Sequence, residues 1–222
     1  MDSATMHIDF RAKANRINSL KNKTFVPQEI DLFLNDQMEA FISNIVDTVI
    51  KDKGFEDIQA NLDKVRPLVK TDSTDTTEAG TLTLNSFDRG KYIDIPSDYI
   101  RRIRISADTE NYCLEYNKRP CRVYDNEIID TILVTEFYKS HIKSPISSIH
   151  NTMVRVFEDK FTVSNIYLTY LKKYPLIVYD SQNCVLPDDT HRDIVDMAVS
   201  KVNSVINAGN YEKYLNEISN ND

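Results

Sequence analysis

The side chains best suited to chemistry in this chain are few and scattered. Its four histidines are His7, His141, His150 and His191, and none is paired with another at the spacing of helical metal ligands. His191 falls in the first turn of an expected helix, where a surface or capping role is the ordinary one. His141 and His150 flank a Ser/Pro-rich loop, Ser140–Ser148, and a metal site would need three or four converging ligands. The three cysteines, Cys113, Cys121 and Cys184, are too few and too irregular for a disulfide framework and read as reduced thiols. Cys113 and Cys121 could face each other across a hairpin. Cys121 with a distant histidine could form a thiol dyad, although a small buried thiol is the commoner use. Asp72, Asp75 and Glu78 stand three apart but lack the EF-hand pattern, so they read as a solvated acidic loop.

Only four glycines occur, Gly54, Gly80, Gly90 and Gly209. A phosphate-binding loop, a dinucleotide fingerprint and a nucleophile elbow each need closely spaced glycines, so none is present in standard form. No catalytic, cofactor-binding or metal-ligating set is assigned. The one dense basic cluster is Arg101, Arg102 and Arg104. It suits contact with a nucleic-acid backbone, and equally an exposed strand face paired with nearby carboxylates. The chain carries a formal net charge of −7, which does not attract nucleic acid as a whole.

The elements expected to position these residues fall into three blocks. Residues 8–22 predict a short amphipathic helix with Phe10, Ala14, Ile17 and Leu20 on one side. Residues 27–53 predict a longer one, opened by Pro27 and striped by Ile30, Leu34, Met38, Phe41, Ile45 and Val49. A third is expected over 55–66, ended by Pro67. Thr71–Gly80 has no apolar residue larger than alanine and is expected to be a mobile loop, dispensable for folding. Strands are expected at 81–87, 91–95, 100–106, 112–116, 132–138, 153–157 and 161–173, the last two as a hairpin across Glu158-Asp159-Lys160. Ile128–Ile129 fits strand or helix.

Leu186-Pro187-Asp188-Asp189-Thr190 supplies helix-capping residues, with Thr190 and Asp193 spaced like a capping box. Ile194, Ala198, Val202, Val205 and Ile206 continue the stripe, and Gly209 breaks it. Beyond it, Tyr211, Tyr214, Leu215 and Ile218 recur at helical steps, a set too small to fold alone. These tyrosines either dock on a partner or complete the subunit's own core.

The expected class is α+β: an N-terminal helical hairpin or bundle (8–69), a central, mainly antiparallel sheet (81–175), and a C-terminal helix and tail (188–218), all in a single domain, 1–222. Hydrophobic residues make up 41% and charged residues 27%, an ordinary soluble composition. Met1–Phe10 lacks the apolar stretch of a signal peptide, and no segment is long and apolar enough to span a membrane.

Three stretches together resemble the head–tail adaptor and tail-tube ring proteins of short-tailed phages, particularly those of crAss-like phages. They are Asn15–Leu20 followed by Phe25–Asp31 and Asn35-Asp36-Gln37; Ile95-Pro96-Ser97-Asp98-Tyr99-Ile100-Arg101; and Tyr167–Pro175 followed by Leu186–His191 and the helix it opens. They span roughly two thirds of the chain, and their order and spacing carry the likeness. Asp36 departs from the alanine that often precedes the glutamine in that family. The resemblance implies a non-enzymatic virion protein made in the bacterial host cytoplasm. It implies a homo-oligomeric ring of about a dozen subunits, contacting the portal protein or neighbouring tail rings, through which DNA passes. On that reading Arg101, Arg102 and Arg104 are candidate DNA-channel contacts, and Tyr211, Tyr214, Leu215 and Ile218 a candidate partner-docking set. The rival readings are a nucleic-acid-binding accessory protein and a cofactor-free hydrolase.

Overall fold

Pro27 occupies the first turn of a helix, where its missing N–H costs nothing, and Glu29 reaches back to accept the Val26 N–H at 3.1 Å. The computed structural model describes residues 1–17, 25–50, 63–76, 80–135 and 139–207. Within these, helix α1 spans Ser3–Ile17 and α2 spans Pro27–Ile50. Helix α1 begins five residues before the expected start, because Asp2 caps it by accepting the Thr5 N–H at 2.8 Å. The α2 stripe is buried at Ile30, Leu34, Met38 and Ile45, widened by Phe33, Ile42 and Val46. Most of the helix expected at 55–66 lies outside the described residues. Residues 63–65 are helical and run into a 3-10 turn, Arg66–Leu68.

Nine strands and a short helix follow. They are β1 Val69–Ser73, β2 Asn85–Phe87, β3 Gly90–Asp94, β4 Tyr99–Glu110, β5 Glu115–Pro120, β6 Arg122–Val123, α3 Ile129–Val134, β7 Ile146–His150, β8 Met153–Phe157 and β9 Thr162–Lys172. Helix α4, Asp188–Asn207, is the last described element. The class is α+β, and the sheets are antiparallel except for the β6–β7 pair.

Where the sequence outlines one domain in three parts, the chain divides into two compact units: Met1–Leu68 with Tyr174–Asp222, and Val69–Lys173. In the helical unit α1, α2 and α4 pack on one another. Phe10 meets Phe25 edge-on and Phe33 face-to-face, and Ile194, Ala198 and Val202 of α4 are fully buried. The β unit has two sheets, ordered β1-β9-β4-β5 and β2-β3-β8-β7-β6. Their inner faces share one core, with Ile93, Val154 and Val156 from one and Ile105, Ile166, Leu168 and Tyr170 from the other.

Four expectations are corrected here. Strands β8 and β9 do not form a hairpin. Residues 158–161 carry the chain from one sheet to the other, fixed where the Glu158 carboxylate accepts the Val163 N–H at 2.7 Å. The run expected as a strand from 132 is helical through Val134, starting at Ile129, whose side chain is buried; residues 136–138 lie outside the described set. Ile146–Ser148, the end of the Ser/Pro-rich segment expected as loop, belong to β7, Ile146–His150, which pairs with both β6 and β8. Most consequentially, Thr71–Ser73 are not loop. They belong to β1, registered on β9 from Val69↔Leu171 to Ser73↔Tyr167.

Candidate interaction surfaces

Strand β4 carries the arginine run, and its pairing decides what the run can touch. Strand β5 covers β4 only from Ser106 onward, and the Cys121 N–H closes on the Ile105 carbonyl at 3.0 Å. The half from Tyr99 to Arg104 therefore has β9 on one side and, among the described residues, no strand on the other. Paired residues share a face of a sheet. Arg101 stands opposite Leu171 and Arg104 opposite Thr169, two residues apart on β9 and so on one face; Arg102 stands opposite Tyr170, on the other. Register shifts at Ile100 and Ile103 make this split. The run is thus two arginines plus one, not a single basic stripe. Arg104 is exposed, and among the described residues no carboxylate pairs with it or with Arg102. Thr71 and Thr169, hydroxyls 2.9 Å apart, continue the Arg104 row.

The strongest polar constellation is one the sequence reading passed over. Tyr170, fully buried, places its hydroxyl 2.8 Å from Asp72 and 2.8 Å from Asp98. One phenol hydrogen is shared between two carboxylates. The Lys70 ammonium, 3.0 Å from Asp72 and 3.4 Å from Asp98, offsets their charge. Burial first, then these hydrogen bonds, push the Tyr170 phenol far above its ordinary range. Tyr170's hydroxyl, then Lys70, hold the Asp98 carboxyl below its ordinary value against the opposing effect of desolvation.

Tyr167 repeats the arrangement on the opposite face of β9. Its hydroxyl lies 2.7 Å from Asp108 and 3.1 Å from Asp75. Asp108 also accepts the Asn165 amide at 3.1 Å and the Lys118 N–H at 2.7 Å, the latter presented by a left-handed backbone at Lys118. The acidic segment read as a solvated loop is instead bound to β9: Asp72 and Ser73 are buried, and the Thr74 N–H donates to the Ile166 carbonyl at 3.1 Å. Even Gly80 is closely approached, since a Cβ there would lie 2.6 Å from the Asp75 carbonyl oxygen. The available signal was the tyrosines at 167 and 170, three apart and so on opposite faces of a strand, each needing a partner for its hydroxyl.

The histidines and thiols serve the fold. His191 is buried rather than at the surface, with Nε2 2.8 Å from the Leu186 carbonyl. Thr190 does not cap the helix from outside. It lies buried within the first turn, donating its hydroxyl to Pro187 O at 2.8 Å. His7, also buried, meets Asp31 at 2.8 Å and lies against the Tyr179 ring at a tilt of 45°. Exposed His141 accepts the Lys143 N–H in a local turn, and His150 lies 3.4 Å from the Asn151 amide. Among the described residues no cluster of three metal-ligating side chains occurs. Cys113 is exposed at a hairpin tip, whereas burial pushes the Cys121 thiol up to about 12, only partly countered by Arg104. The three cysteines are unpaired. Tyr211, Tyr214, Leu215 and Ile218 lie outside the described residues.

What the surface does offer is apolar area. Ile8, Val26, Leu176, Val178 and Tyr179 are exposed on the helical unit, and Ile100, Tyr112, Leu114, Ile128 and Val134 on the β unit. Tyr112 and Leu114 stand beside Cys113 at the tip between β4 and β5. No described helix is long and apolar enough to cross a membrane. No known protein family matches the chain, and no curated protein is similar to it.

Proposed function

We propose that this chain is a structural virion protein, one subunit of a homo-oligomeric ring in the head-to-tail connector of a phage, and that it acts without catalysis. The observation that carries the reading is the exposed apolar set on both units, which a monomer gains nothing by displaying and an assembly can cover. The three resembling stretches support it by the work they do. Asn35 is hydrogen-bonded to both polar groups of the Ile177 backbone, at 2.7 and 2.9 Å. Asp98 holds Tyr170, and Leu186–His191 forms the start of α4. Each stretch builds scaffold rather than a reaction centre. A net charge of −7 suits a wall past which DNA must slide without adhering.

The portal protein or adjoining tail rings are the expected neighbours, with about a dozen copies in the ring as the resemblance implies. The test is the composition of purified particles. A ring of this protein between capsid and tail, resolved by class-averaged micrographs and present in multiple copies by mass, is the expected result. Its absence from particles overturns the reading. One observation favours a second reading, an accessory protein that binds nucleic acid. Arg101 and Arg104 share a face with the hydroxyls of Thr71 and Thr169, donors suited to a phosphate backbone.

A further inference from the structure

One cavity of the β unit joins an aromatic floor to polar groups that the fold leaves unengaged. It lies between the β2–β3 turn and the start of α3, with a volume of about 390 Å³. Small-molecule sites span roughly 300–1,000 Å³. The register of the strands builds the floor. Val154 and Val156 point into the core shared by the two sheets, so Arg155 and Phe157 point away from it. Phe87 pairs with Gly90 and Gly90 with Phe157, which puts all three on that outer face. Gly90 carries no side chain, and the two rings meet edge-on across it with centroids 5.5 Å apart. Buried Ile129 of α3 completes the apolar surface.

Arg155 stands in the wall of this cavity. Its guanidinium lies over the Phe87 ring at 5.5 Å and makes no hydrogen bond or ion pair among the described residues. The carboxylates nearby do not neutralise it. Asp130 is paired with Arg89 at 3.0 Å, and Asp88 is exposed, where water and salt screen its charge. Arg155 is itself half-buried. The Asn126 amide, half-buried in the same lining, is also unbonded among the described residues. Directly opposite Arg155 on β7, Ser148 is fully buried and its hydroxyl has no partner. A charge withdrawn from water without a counter-charge is unfavourable. A planar guanidinium is matched best by a carboxylate, which accepts two parallel N–H bonds from it.

We propose that this cavity binds a small carboxylic acid with an apolar body. The carboxylate sits on Arg155 and Asn126, and the body rests on Phe87, Phe157 and Ile129. The site goes beyond the ring reading and does not depend on it. The same chemistry can come from two sources, a free acid or the carboxyl terminus of another chain that ends in an apolar residue.

The test is a titration of the isotope-labelled, full-length protein with phenylacetate, followed through its amide resonances. Saturable shifts at Phe87–Gly90 and Asn126–Asp130 are expected. Benzyl alcohol offers a similar body without the charge and should bind at least about tenfold more weakly. In Arg155→Met that preference should disappear, while both compounds still reach the floor. Arg155→Lys keeps the charge but loses the fork, and should retain only part of the preference. The proposal is overturned by the absence of saturable shifts with phenylacetate, by shifts centred elsewhere, or by a preference that survives Arg155→Met. Should a variant fail to fold, the parent protein still decides, because equal binding of the two compounds overturns the proposal on its own. N-acetylphenylalanine separates the sources. Tighter binding than phenylacetate assigns the site to a chain terminus, and weaker binding to a free acid.

Discussion

Tyr167 and Tyr170 each hold two carboxylates with one hydroxyl, and this gives the β unit a defined pH window. A phenol whose folded value is raised above the ordinary 10.0 contributes stability that is fully present below that value and lost as pH rises through and beyond it. A carboxyl held below the ordinary 3.8, as Asp98 is, contributes stability present above that value and lost as pH falls through its lowered one. These contributions should be flat between about pH 4 and pH 10 and fall outside that range. Above pH 10 each buried phenol should steepen the loss by about 1.4 kcal/mol per pH unit. Tyr170→Phe should cost about 1–3 kcal/mol at pH 7 and remove one of the two alkaline steps. Urea unfolding of both proteins at pH 7, 10.5 and 11.5 would read this out, and parallel alkaline curves would refute it. The two tyrosines stand in plain view in the sequence, but their partners do not. Asp72, Asp98 and Asp108 lie 59 to 98 residues away from them, and only the fold brings such distant residues together.

Strand β1 shows why one element stayed hidden. Its residues, Val69 to Ser73, alternate weakly, and Asp72 and Ser73 look like solvent-facing residues. A buried strand is usually recognised by apolar residues, whereas this one buries Asp72, held by Tyr170 and Lys70, and Ser73, whose hydroxyl donates to the Asp75 carbonyl. The same limit explains β7, whose Ser147 and Ser148 are buried, and the β8–β9 linkage, where a gap as short as residues 158–161 fits a hairpin and a sheet-to-sheet crossing alike. By contrast α2, β8 and β9 were legible, because long apolar stripes and runs of Val, Ile and Tyr settle element type locally. Replacing residues 71–80 with a Gly/Ser linker should therefore not be neutral. It removes three of the five residues of β1, one Asp partner of each tyrosine and the Thr74 bonds to β9. A loss of at least about 4 kcal/mol is expected, a fall of roughly 10 °C in a chain of this size. A melting temperature within a degree or two of the parent would show that β1 contributes little.

At the scale of the whole molecule, charge and its placement pull in different directions. The chain as a whole repels phosphate, yet Arg101 and Arg104 stand together on one face of an edge that β5 leaves open. The sequence offered three arginines as one cluster. What it could not convey is the pair of register shifts at Ile100 and Ile103, which turn Arg102 to the other face. The split has a measurable consequence for the proposed passage of DNA. Each phosphate neutralised on a duplex contributes about −0.9 to the slope of log affinity against log salt. Two arginines acting together give a slope of about −1.8, where three would give about −2.7. Filter binding of non-specific duplex at low salt should then show the smaller slope. Arg102→Ala should leave it unchanged, and Arg101→Ala with Arg104→Ala should abolish it. Because binding is opposed by the net charge, affinity should vanish near physiological salt, which is what the proposed ring role requires. If Arg102→Ala lowers the slope as much as Arg104→Ala does, the three arginines bind as one stripe and the assignment of faces fails.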